Sequence, residues 1–170
     1  MNTRTTLSAL FALLLLAAVP AQAQTAISIG PRVGYETDAE SIFVGADARI
    51  GVAALPIRLN PTFDFFLLNE DDFGNDASQI QLTVNALYEL GIENTTFTPY
   101  AGGGLSYVRR SFDVPEDVDI EDSNSEIGLN VIGGAEFTNI GGFVPFAQGE
   151  FVLGGDYSPF KITGGILFDI

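Results

Sequence analysis

The sequence predicts an all-β fold, an eight-stranded antiparallel up-and-down β-barrel that crosses a membrane with its apolar face turned outward. Three observations carry this. Beyond residue 23 the chain reads as eight segments of alternating apolar and polar residues, the period of a strand with two unlike faces, and no window holds a long helical period. The polar face is poor in Lys and rich in Gly (Gly30, Gly34, Gly45, Gly51, Gly102, Gly104, Gly128, Gly134, Gly165). That suits a crowded interior, since eight strands leave room only for side-chain packing. Aromatic residues gather toward both ends of the apolar face around an aliphatic middle, as at the two water–lipid boundaries of a membrane barrel.

Met1–Ala23 reads as an export signal. Arg4 supplies the positive start, Leu7 to Val19 is apolar except for Ser8, and Ala21-Gln22-Ala23 is a small-x-small cleavage site. The apolar run falls short of the roughly 20 residues a membrane helix needs. Cleavage leaves residues 24–170 as the barrel domain, beginning at Gln24. It also removes the only charge of the segment, Arg4.

The first strand sets Ile27, Ile29, Pro31, Val33 and Tyr35 against Ser28, Gly30, Arg32, Gly34 and Glu36. The second sets Ile42, Val44, Ala46, Ala48, Ile50 and Val52 against Phe43, Gly45, Asp47, Arg49 and Gly51. The third sets Ile57, Leu59, Pro61, Phe63, Phe65 and Leu67 against Arg58, Asn60, Thr62, Asp64 and Phe66. The fourth sets Ile80, Leu82, Val84, Ala86 and Tyr88 against Gln79, Gln81, Thr83, Asn85 and Glu89. In the fifth, Phe97, Ala101, Leu105 and Tyr107 oppose Tyr100, Gly102, Gly104 and Ser106. In the sixth, Ile127, Leu129, Val131, Ala135 and Phe137 oppose Gly128, Asn130, Gly134 and Glu136. Phe143, Ala147 and Phe151 oppose Phe146, Gln148 and Glu150 in the seventh. Phe160, Ile162, Ile166, Phe168 and Ile170 oppose Lys161, Thr163, Gly165 and Asp169 in the eighth. Pro31 and Pro61 fall inside strands, where Pro removes a ladder hydrogen bond, so local bulges are expected at both.

Three connections are compact and nearly uncharged, around Ala54, Glu93 to Thr95, and Asn139 to Gly142. The other four are acidic. They carry Asp38 and Glu40; Glu70, Asp71, Asp72 and Asp76; Asp113, Glu116, Asp117, Asp119, Glu121 and Asp122; and Asp156. Up-and-down order gathers the acidic connections at one end and both termini at the other. With that polarity Tyr88, Phe97, Phe137, Phe143 and Phe168 form an interfacial belt at the terminus end. Tyr35, Phe65, Tyr107, Phe151 and Phe160 form one at the acidic end. A soluble barrel of the same connectivity would instead turn its apolar face inward and spread Lys, Glu and Thr outside.

The inward face supplies a polar network for the lumen: Arg32, Arg49, Arg58 and Lys161 against Asp47, Asp64 and Glu150. Buried charges need partners, and a tight turn around Gly154 to Asp156 sets Glu150 opposite Lys161. The lumen is therefore expected to be plugged. The segment from Asp113 to Asp122 has little to bury and is expected to be a mobile loop at the cell exterior.

The chain resembles the small outer-membrane β-barrel family, the OmpA-type transmembrane domain and its OmpX-like relatives. Its end also resembles the outer-membrane assembly signal, with Thr163, Gly165, Phe168 and Ile170 in the alternating positions and Ile170 where a terminal Phe is usual. The resemblance runs from Gln24 to Ile170 and implies residence in a bacterial outer membrane. The peptidoglycan anchoring of longer relatives is not implied.

Composition narrows the chemistry. The net charge of -15, with 7 Lys and Arg against 22 Asp and Glu, excludes a basic nucleic-acid surface. There is no Cys and no His, so disulfides, thiolate metal sites and His-based acid–base catalysis are excluded. The enzymes among small membrane barrels resemble one another in needing a catalytic His, so no catalytic residue, metal or cofactor is expected. Asp117-Val-Asp119-Ile-Glu121 begins like a calcium loop, but Asp122 stands where the sharp turn needs Gly and Gly128 where a bidentate Glu belongs. The acidic loops offer divalent cations weak contacts only. Ala101-Gly102-Gly103-Gly104 lacks the Lys and helix of a phosphate loop. The Asn94-Thr95-Thr96 glycosylation pattern falls in a turn on the periplasmic side and carries no weight. A monomer is expected, with outer-membrane lipid as its partner. Its expected role is structural or surface-interactive, in membrane integrity or in adhesion through the acidic loops. The rivals are a narrow channel, a transporter of small apolar molecules, and a soluble periplasmic lipid-binding barrel.

Overall fold

The computed structural model describes residues 26–37, 40–51, 56–67, 77–92, 96–112, 123–153 and 159–170. The candidate signal and the six acids from Asp113 to Asp122 lie outside them, as do the turns around Ala54, Glu93–Thr95 and Gly154–Asp156.

Eight strands form one closed antiparallel barrel in sequence order: β1 (Ala26–Glu36), β2 (Ser41–Gly51), β3 (Ile57–Leu67), β4 (Ala77–Glu89), β5 (Phe97–Phe112), β6 (Ser123–Phe137), β7 (Val144–Leu153) and β8 (Phe160–Asp169). β8 closes on β1, with Glu36 opposite Lys161 and Ser28 opposite Asp169. Closure leaves no free strand edge along the barrel. β5 and β6 have 16 and 15 residues. A bilayer needs about 9–11 residues of tilted strand, so this hairpin overshoots the membrane at the loop end. Phe143 lies just outside β7, in an isolated bridge with Ile140.

The apolar face of every strand points outward. Val33, Val44, Leu82, Val84, Leu105, Leu129, Val131 and Ile162 are exposed, while Asp47, Asn60, Asp64, Glu150 and Lys161 are fully buried. This is the inverse of a soluble protein, and the inward face is the polar one.

The two mid-strand prolines make no bulge. The β1–β8 ladder is interrupted at Gly30 and Pro31, yet Ile29 opposite Phe168 and Arg32 opposite Gly165 keep one register, so no residue is inserted. Gly30 absorbs the break. A Cβ there would lie 1.7 Å from the Ile166 carbonyl oxygen, so only Gly lets β8 approach this closely. At Pro61 the gap lies on the β2 side, between Asp47 opposite Thr62 and Ile50 opposite Leu59, again without a register change. That register puts Ala48 opposite Pro61. Asn60 Nδ2 donates to the Ala48 carbonyl at 2.9 Å and to Asp47 Oδ1 at 2.8 Å. The side-chain amide thus supplies the donor that Pro61 lacks. Asn60→Ala should cost about 1–3 kcal/mol by leaving the Ala48 carbonyl without this donor, while Asp47 Oδ1 keeps Arg49. Urea unfolding of the folded barrel would read this, and an unchanged midpoint would show the amide plays no such part.

Candidate functional site

The lumen is the candidate site, because the barrel brings its buried charges together there. Arg32 forks onto Asp64, with Nε 2.9 Å from Oδ1 and Nη2 3.2 Å from Oδ2, and its Nη1 lies 3.3 Å from Asp47. Arg49 Nε lies 3.2 Å from the other Asp47 oxygen. Arg49 also pairs with Glu136, and its Nη2 donates to the Tyr100 hydroxyl at 3.0 Å. Tyr100 in turn donates to Gln148 Oε1 at 2.9 Å. Lys161 Nζ sits 2.8 Å from Glu150 and 3.6 Å from Asp64. Arg58 reaches Glu136 at 2.8 Å and Glu89 at 3.0 Å, nearer the terminus end.

All seven residues of the expected network therefore meet in one connected set. Glu136 was not expected as a member, although the alternation places it inward. It bridges Arg49 and Arg58, and with Glu89 at the rim the connected set holds four cations and five acids. The expected tally of four against three was the available signal, because a buried excess charge calls for one more partner.

Cations also lie over aromatic faces. Arg49 is 4.4 Å from the Phe146 ring centroid and 4.7 Å from that of Tyr100, and Arg32 and Lys161 each lie 5.6 Å from Phe43. Phe43 packs on Phe66 at 5.2 Å. Leu87, Ile132 and Leu167 are buried in the lumen as well. These three were not assigned inward by sequence reasoning. They share the inward parity of their strands, but an apolar residue beside an apolar outward one hides the alternation.

The opposite wall carries uncharged groups. Gln81 Nε2 donates to Ser106 Oγ at 2.9 Å, Ser106 donates to Asn130 Oδ1 at 2.8 Å, and Asn130 Nδ2 donates to Asn85 Oδ1 at 3.2 Å. Toward the loop end Arg110 Nε donates to Gln79 Oε1 at 2.8 Å. A cavity of about 30 Å³ lies there, lined by Glu36, Gln79, Gln81, Arg110 and Glu126 among others. It has room for about one water molecule. Among the described residues no cluster of three or more carboxylates is placed to hold a metal ion.

On the outer wall, Tyr35, Phe65, Tyr88, Tyr107, Phe137, Phe151 and Phe168 are exposed. Phe97, Phe143 and Phe160 are half-buried. Phe160 is covered by Phe151 at 4.5 Å, and Phe143 lies 6.3 Å from Phe168. Phe63 also faces outward, within the otherwise aliphatic middle. On β5 the ten steps from Phe97 to Tyr107 rise about 34 Å along the strand. Tilted as membrane strands are, they span about 25 Å of height, the usual apolar band.

The chain matches the family of the outer membrane protein beta-barrel domain over residues 9–139. No curated protein matches it in sequence. Among solved structures, the N-terminal β-barrel domain of Pseudomonas aeruginosa OprF is similar, with a TM-score of 0.66 at 14% identity, covering 88% of this chain and 100% of that one. Neisserial surface protein A gives 0.65 at 13% identity, covering 86% and 97%. Ail, the attachment invasion locus protein of Yersinia pestis, solved with the heparin analogue sucrose octasulfate, gives 0.61 at 17% identity, covering 86% and 97%. At these identities the likeness is one of fold.

Proposed function

The chain belongs to the outer membrane protein beta-barrel domain family, and on that premise we propose that it is a closed, non-conducting barrel with a structural or surface-interactive role. Met1–Ala23 is its cleaved export signal, and the acidic connections form its outer end. One observation carries the reading. Arg32, Arg49, Lys161, Asp47, Asp64 and Glu150 have side chains with no solvent exposure and are paired across the lumen. A lumen filled this way offers no aqueous path. Ion pairs so deeply buried return little beyond their own desolvation cost, so their contribution is to fill and fix the interior.

The acidic end separates this chain from one neighbour. Ail was solved with a polysulfated ligand, and a net charge of -15 repels such a ligand. Cationic partners and weakly held divalent ions suit this surface instead.

In a planar bilayer the purified, folded barrel should show little or no steady conductance. Arg32→Ala combined with Lys161→Ala should loosen the plug and raise the current. A large, stable conductance from the unaltered protein would overturn the structural reading in favour of a channel.

A second reading, passage of small apolar molecules through the wall, has one observation in its favour. An outer groove of about 480 Å³ runs along β8, β1 and β2, lined by Pro31, Val33, Val44, Gly164, Gly165 and Ile166. It lies over the interrupted stretch of the β1–β8 ladder. Beneath it the Arg32 side chain is fully buried and ion-paired, which closes the inner side.

A further inference from the structure

Among the strand residues whose side chains are described, every basic group but one points into the barrel. Arg32, Arg49, Arg58 and Lys161 belong to the lumen network, and Arg110 donates inward to Gln79. Arg109 alternates with Arg110 and so faces outward, exposed, on the same side of β5 as Tyr107. No described outward-facing strand residue carries a negative charge to meet it. Its register partners are Ile80 on β4 and Ser125 on β6, and Ser125 is exposed.

The depth of this arginine follows from the outer wall. Tyr107 stands at the aromatic belt of the loop end, and Arg109 lies two residues farther, about 7 Å along the strand. The long β5–β6 hairpin carries it past the apolar band to headgroup level. A guanidinium there meets lipid phosphates, and its planar fork matches a phosphate in two parallel hydrogen bonds. The Ser125 hydroxyl directly opposite it on β6, and the Tyr107 phenol two residues nearer the bilayer, are the neighbouring outward-facing donors.

We propose that Arg109, with Ser125 and Tyr107, forms a site on the outer wall for the phosphate of an anionic membrane lipid in the leaflet at the loop end. In a strongly acidic protein this cation is a fixed point that holds an anionic headgroup against the barrel and sets how deeply β5 and β6 sit. The proposal rests on the reading of the barrel as bilayer-embedded.

The test uses the full folded chain in phosphatidylcholine vesicles containing a minor fraction of either lipid A or phosphatidylglycerol. Arginine is labelled with ¹⁵N, and phosphorus-to-nitrogen dipolar dephasing is read by solid-state NMR. Lipid retention is read in parallel by native mass spectrometry. One guanidinium should dephase against lipid phosphorus, and anionic lipid should be retained over phosphatidylcholine. R109Q should abolish that dephasing and lower retention about tenfold, and R109K should restore part of the retention. Heat-dependent gel migration shows that each variant is folded. Lipid A and phosphatidylglycerol are distinguished by whether a phosphate monoester or a diester is held longer, and preference for either supports the site. Equal dephasing and retention in wild type and R109Q would overturn it. So would equal binding of inorganic phosphate without lipid, which would mark an adventitious ion only. A folded chain that fails to insert into vesicles would overturn the bilayer reading itself. An inserted barrel indifferent to Arg109 would overturn this proposal alone.

Discussion

Lys161→Met should destabilise the folded barrel by about 3–5 kcal/mol, whereas Lys161→Met combined with Glu150→Leu should cost markedly less. The two side chains have no solvent exposure and lie 2.8 Å apart, on strands whose register sets them opposite each other. Removing Lys161 leaves Glu150 as a buried carboxylate without its cation. Removing both takes away the charge and the need for it together. The single substitutions should also be unequal. Without Glu150, Lys161 keeps Asp64 at 3.6 Å, so Glu150→Leu alone should be the milder change. A double-mutant cycle from urea unfolding in detergent or vesicles measures this. A coupling energy near zero would show that the pair does not act as one.

Val84→Arg should cost about 2–4 kcal/mol if the site lies near the bilayer midplane. Val84 is 54% exposed and lies opposite Pro61 and Leu105 on the flanking strands. In water an exposed valine on a strand tolerates arginine with a change within about 0.5 kcal/mol. The same substitution is therefore nearly neutral for a soluble barrel and costly for a lipid-facing one. Refolding stability in vesicles decides between them, and a neutral result would place Val84 in water.

The strand count, the connectivity and the inward or outward direction of most residues were legible in the sequence. Alternation is a strict period-2 signal, and one slip would reverse a whole strand. The partners of the lumen charges were legible only between strands adjacent in sequence, as for Glu150 and Lys161. Arg49 and Glu136 lie on strands distant in sequence, and only closure of the barrel brings them together. Leu87, Ile132 and Leu167 were hidden because apolar side chains serve both faces here, outward against lipid and inward as dry packing around ion pairs. The bulges expected at Pro31 and Pro61 did not form for two local reasons. Gly30 admits the neighbouring carbonyl, and the Asn60 amide replaces the missing donor. A propensity rule for proline says that the ladder must be compensated, and the neighbouring side chains decide how.

The most direct test is cell fractionation followed by gel migration of the unboiled and boiled protein. A closed barrel with its aliphatic face in lipid should sediment with the outer membrane, resist salt washing and require detergent for extraction. It should also run at a different position on the gel until boiling opens the strand ladder. Recovery in the salt-washed soluble periplasm, with identical migration before and after boiling, would contradict the outward-facing barrel on which the lumen plug and the lipid site both depend.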